Sequence, residues 1–98
     1  KTLNERRKIG YNGMISVAIG LDNRGKISGQ PMLRLMGVPL EEDEEDFLDE
    51  MCEAILKKFK KPVGDINRFS EELRLMVRRS ATEWTGKKPI VSVLVVEA

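Results

Sequence analysis

The sequence contains one thiol, Cys52, and no histidine, the residue that most often serves as general base and metal ligand. Without an imidazole, Ser-His and Cys-His nucleophile pairs are excluded, and zinc would have to be held by Cys52 and carboxylates alone. Cys52 falls on or beside the apolar stripe of a predicted helix, where a thiol behaves as a small buried hydrophobe. The densest carboxylates are the run Glu41-Glu42-Asp43-Glu44-Glu45-Asp46. Contiguous helical residues fan out around the axis instead of converging on one cation, so this run reads as a solvated first turn. Neither a G-x-G-x-x-G nor a P-loop pattern occurs, and no phosphate cradle is suggested. The residues thus offer no catalytic group, no metal site and no cofactor site in this chain.

Basic clusters are the other candidate chemistry. Lys57, Lys58, Lys60, Lys61, Arg78 and Arg79 are candidate RNA contacts, with Arg6-Arg7-Lys8 and Lys87-Lys88 as further positive groups. Each has a local explanation as lead-in, helix C-terminus or solvated helix face. Seventeen basic residues against sixteen acidic leave a formal charge of +1, whereas autonomous nucleic-acid modules carry a clear basic excess. At 5% aromatic residues, there is no stacking platform for single-stranded bases.

Hydrophobic spacing supplies the elements that must position these groups. From Met14 to Leu21 the residues alternate, Ile15, Val17, Ile19 and Leu21 against Met14, Ser16, Ala18 and Gly20, as a strand requires. The tight-turn residues Asp22-Asn23-Arg24-Gly25 follow, so a hairpin leads into a second strand from about Lys26 to Gly37. Gly29 and Pro31 make that strand bulged, interrupted or peripheral. Phe47, Leu48, Met51, Cys52, Ile55, Leu56 and Phe59 form one helical stripe, acidic at its start and rich in lysine at its end. A second helix, N-capped at Asp65 or Asn67, places Phe69, Leu73, Met76, Val77, Ala81 and Trp84 on one face and stops at Gly86. Ile90 to Val96 is the most strand-prone segment.

The order is β-β-α-α-β, which predicts an α/β (α+β) two-layer sandwich: a three-stranded sheet with two helices on one face. A length of 98 residues supports one core. Residues 13–98 are therefore read as a single domain, and residues 1–12, which begin at Lys1 with a polar, charge-dense stretch to Lys8, as a linker or lead-in from a missing upstream domain. A single cysteine precludes an internal disulfide, and there is no apolar run of the roughly 18 residues that a membrane span needs. A soluble cytoplasmic chain without a membrane partner is expected.

With both helices on one face, the other face of the sheet stays uncovered, yet the third strand is apolar on both sides. Candidate interface residues are Met14, Ala18, Met32, Met36, Val91, Val93 and Val95. An apolar patch above roughly 300–600 Å² commonly marks an interaction surface. The expected partner is a second copy, forming a dimer or tetramer through the sheet, or the upstream domains of the same chain.

Several segments, taken in order, resemble the C-terminal domain of ribonuclease J, of the RNA-processing metallo-β-lactamase (β-CASP) group. They are Asn4-Glu5-Arg6-Arg7-Lys8-Ile9, Gly13-Met14-Ile15-Ser16-Val17, Gly25-Lys26-Ile27, the acidic helix after Gly37-Val38, and Thr85-Gly86-Lys87-Lys88-Pro89-Ile90 before the valine strand. The resemblance covers nearly the whole chain, and departs from the family at the interruption Gly29-Gln30-Pro31. It implies a bacterial parent enzyme, a zinc-dependent endo- and 5′–3′ exoribonuclease of mRNA decay and rRNA maturation. The family's histidine-rich motif lies upstream and nothing here matches it, so no catalytic residue is carried over. For this part of the enzyme the resemblance implies a three-stranded sheet with two helices on one side, contributing to assembly, with RNA reached through the parent.

Overall fold

A computed structural model describes residues 12–98, so the expected lead-in lies outside the described residues except for Asn12. The elements are β1 (Met14–Leu21), β2 (Ile27–Met36), a short 3-10 turn (Glu41–Asp43), α1 (Glu44–Lys58), α2 (Ile66–Thr85) and β3 (Ile90–Glu97). β1 is the central strand, antiparallel to β2 and parallel to β3. The β-β-α-α-β order and two-layer architecture are those expected.

The alternation in β1 settles which face is covered. Ile15, Val17, Ile19 and Leu21 are buried beneath the helices together with Phe47, Met51 and Ile55 of α1 and Phe69, Leu73, Val77 and Ala81 of α2. α1 lies over β2 and α2 over β3. The aromatic rings lock the two helices to each other: Phe47 meets Trp84 edge to face at 5.6 Å, and Phe59 meets Phe69 at 4.9 Å. Leu56 and Trp84, predicted within the apolar stripes, sit at their margins and remain 37% exposed.

Local chemistry closes the hairpin and both ends of α2. The Asp22 carboxylate accepts the N–H groups of Arg24 at 2.8 Å and Lys26 at 3.0 Å, closing the hairpin; these bonds hold its carboxyl below the usual carboxylate range. Asp65 is the N-cap of α2, its Oδ1 accepting from the Arg68 N–H at 3.1 Å. Gly86 closes that helix at φ 71°, donating its N–H to the Thr82 carbonyl. The Val63 N–H donates to the Gly25 carbonyl at 2.8 Å, tying the junction between the helices to the hairpin tip.

β2 runs its whole length with a bulge. Ala18 opposes Met32 and Gly20 opposes Ser28, so Gly29-Gln30-Pro31 together face Ile19. At an outer strand the missing N–H of Pro31 leaves no broken ladder bond.

Gly13 marks the tightest backbone approach. It has φ +84°, and a Cβ there would stand 2.7 Å from the Gly37 carbonyl carbon and oxygen. Gly13→Ala is therefore expected to cost about 3 kcal/mol or more, combining left-handed strain with a backbone clash. Urea unfolding of the two proteins measures the difference, and a loss below about 1 kcal/mol would contradict the close approach.

Candidate association surface

The even-numbered residues of β1 look away from the helices, and the register assembles their neighbours into rows. Met36, Met14 and Ile90 form one row, Arg34, Ser16 and Ser92 the next, then Met32, Ala18 and Leu94, then Ser28, Gly20 and Val96. Met32 is 71% exposed, Leu94 61%, Met36 58% and Val96 55%. Because Ser16, Ala18 and Gly20 are small, the middle of the face is low and its flanks are raised by larger apolar side chains. The result is a shallow trough along β1, with Met32 and Met36 on one side and Leu94 and Val96 on the other.

Of the seven predicted interface residues, Met14, Ala18, Met32 and Met36 lie on this open face. Val91, Val93 and Val95 do not. The parallel pairing sets them opposite Ile15, Val17 and Ile19, which turns them toward the helices; Val91 is buried and the other two are half-buried against the core. The contribution of β3 to the open face is instead Ile90, Leu94 and Val96. One signal in the sequence marked that phase: Ser92 alternates with Ile90, Leu94 and Val96 as Ser16 alternates with Met14 and Ala18, and the side bearing serine is the side left open.

The basic residues lie elsewhere, in the helical layer. Lys57, Lys58, Lys60 and Lys61 surround a recess of about 560 Å³ at the junction of the helices, together with Arg68, but Asp65 and Glu72 line it too. Lys58 and Arg79 share the adjoining recess. Arg78, Arg79 and Lys88 share the one beyond. The positive groups thus follow one another along the outside of α2, interrupted by carboxylates.

No cluster of three or more histidine, cysteine, aspartate or glutamate side chains that could hold a metal occurs among the described residues. Cys52 is half-buried and its Sγ donates to the Pro31 carbonyl at 3.4 Å. Burial, aided by the nearby Asp49 charge, pushes its pKa up, away from thiolate chemistry. No helix among the described residues is long and apolar enough to cross a membrane.

Fold and surface together define a small α+β sandwich, one sheet face of which is covered by no element among the described residues. The chain belongs to the ribonuclease J C-terminal domain family, whose model matches residues 1–98. It is also 31% identical over 98 residues to a ribonuclease J of Sinorhizobium meliloti (strain Sm2011 / Rm2011 / 2011), an alignment covering 95% of this chain and 17% of that protein. The chain therefore spans about a sixth of the length of this curated relative.

The raised pKa of Cys52 makes a kinetic prediction. Iodoacetamide at pH 8 is expected to alkylate the folded chain several-fold more slowly than the chain in urea. Mass spectrometry of timed samples measures both rates, and equal rates would contradict the burial and the thiol–carbonyl contact.

Proposed function

We propose that this chain is a non-catalytic C-terminal domain of a cytoplasmic ribonuclease J-like enzyme and that it serves assembly, between copies of the enzyme or between its domains. The observation that carries this reading is the open sheet face, where Met32, Met36, Leu94 and Val96 are each more than half exposed. Side chains of this size gain roughly 1.5–3 kcal/mol each when taken fully out of water, and a partner covering several of them gains part of that against the cost of association. The parent reaction, zinc-dependent cleavage of RNA, belongs to this proposal through the family alone. The described residues present no donor set for zinc and the chain has no histidine, so no step of that reaction is assigned to them.

Leu94→Glu tests the assembly role. Leu94 points away from the core, so the variant is expected to fold, while the charge placed on the face weakens self-association at least tenfold, about 1.4 kcal/mol. Sedimentation velocity over a concentration series reads the effect. A monomeric wild-type chain, or an associating chain indifferent to the substitution, would overturn self-association through this face.

The sequence of recesses linking Lys58, Arg79, Arg78 and Lys88 favours a second reading, an accessory RNA contact on the helical layer. Binding of single-stranded RNA is then expected at low salt and falls steeply as salt rises, since neutralised phosphates release counterions. Arg79→Glu should weaken it without affecting self-association. Fluorescence anisotropy measures this, and absence of binding at low salt removes the reading.

A further inference from the structure

The sheet has two outer edges, and the chain treats them differently. Along β2 the edge is broken by the bulge, Pro31 has no N–H to offer, and the Pro31 carbonyl is engaged by the Cys52 thiol. Features of this kind blunt an edge against pairing with another chain. β3 is the opposite edge. From Ile90 to Val96 it contains no proline, no glycine and no charge, and its pairing with β1 is unbroken from Met14–Ile90 to Leu21–Glu97.

Two hydrogen bonds fix the direction of its backbone groups. The Ile90 N–H donates to the Gly13 carbonyl and the Ala98 N–H to the Leu21 carbonyl, both at 3.0 Å. Alternate residues of a parallel strand bond to the same neighbour. The even-numbered residues therefore face β1, and the N–H and C=O groups of Val91, Val93, Val95 and Glu97 point outward. No group among the described residues pairs with these outward positions.

Charge selects the occupant of this edge. β3 is preceded by the exposed Lys88 and ends at the exposed Glu97. When two such strands lie antiparallel, the basic start of each meets the acidic end of the other; parallel, like charge meets like. A two-fold axis perpendicular to the sheet, between the two strands at their midpoints, achieves the first arrangement with one self-complementary surface.

We infer that β3 is the element through which a second copy of this chain pairs, edge to edge and antiparallel, joining two three-stranded sheets into one. The inference rests on the self-association proposed above and adds to it the seam and the relative direction of the two strands. Leu94 and Val96 of both copies then flank that seam, and the two open faces become one surface.

Residue-resolved amide hydrogen exchange of the 98-residue chain tests the pairing. Over a roughly hundredfold concentration series, the amides of Val91, Val93 and Val95 are expected to slow at least tenfold in step with association. The even-numbered amides, bonded to β1 throughout, should stay slow. An associated chain whose odd-numbered β3 amides exchange as fast as in the monomer overturns edge pairing and leaves association through the open face standing. A chain monomeric at every concentration overturns both. Val93→Pro removes an outward N–H that β1 does not use, so the variant is expected to keep a dispersed NMR spectrum and lose association. A folded Val93→Pro that associates like wild type overturns the inference, and if this variant fails to fold, the exchange series on the wild type decides.

Discussion

β1 is hydrogen-bonded along both edges but, among the described residues, covered on only one face, and the other elements take their places from that asymmetry. Its large residues, Ile15 to Leu21 in alternation, demand a roof, which α1 and α2 provide with Phe47, Met51, Ile55, Leu73 and Val77. Its small residues, Ser16, Ala18 and Gly20, ask for none. A central strand whose outward side chains were large would have built a ridge; these build a trough, and the apolar bulk passes to the flanking strands at Met32, Met36, Leu94 and Val96.

This division places unlike properties on the two layers of one small domain. The sheet side is apolar with a thin polar row, Arg34, Ser16 and Ser92, across it. The helical side carries the charges, several in local ion pairs such as Arg68 with Glu72 and Arg74 with Glu71. Exposed pairs of this kind contribute little to stability. Covering one layer with a partner leaves the other unobstructed.

Most of the architecture was legible because it is local. The alternation of β1, the Asp22–Gly25 turn, the stripe of α1, the Asp65 cap and the Gly86 stop each depend on residues a few positions apart, and each is found where the spacing put it. The neighbours of β3 were not legible, since strand order and direction depend on pairing across the whole helical layer. That is also why the candidate surface was half right. Met14, Ala18, Met32 and Met36 follow from the phase of β1 and its hairpin, whereas the phase of β3 had to be judged from composition. The valines expected at the surface, Val91, Val93 and Val95, face the core. Weighing Ser92 against Ser16 would have reversed that choice.

The parallel pairing of β1 with β3 also orders events in time. β1 and β2 meet through a four-residue turn, Asp22–Gly25, but β3 reaches β1 only after both helices have been laid down. Until then the inner edge of the hairpin is bare and Ile15, Val17 and Ile19 lack part of their roof. Contacts this distant along the chain are the slow ones to form. Docking of the last strand is therefore expected to be a late step in folding, and a chain truncated before β3 is expected to hold a sticky, unfinished hairpin in place of a sheet.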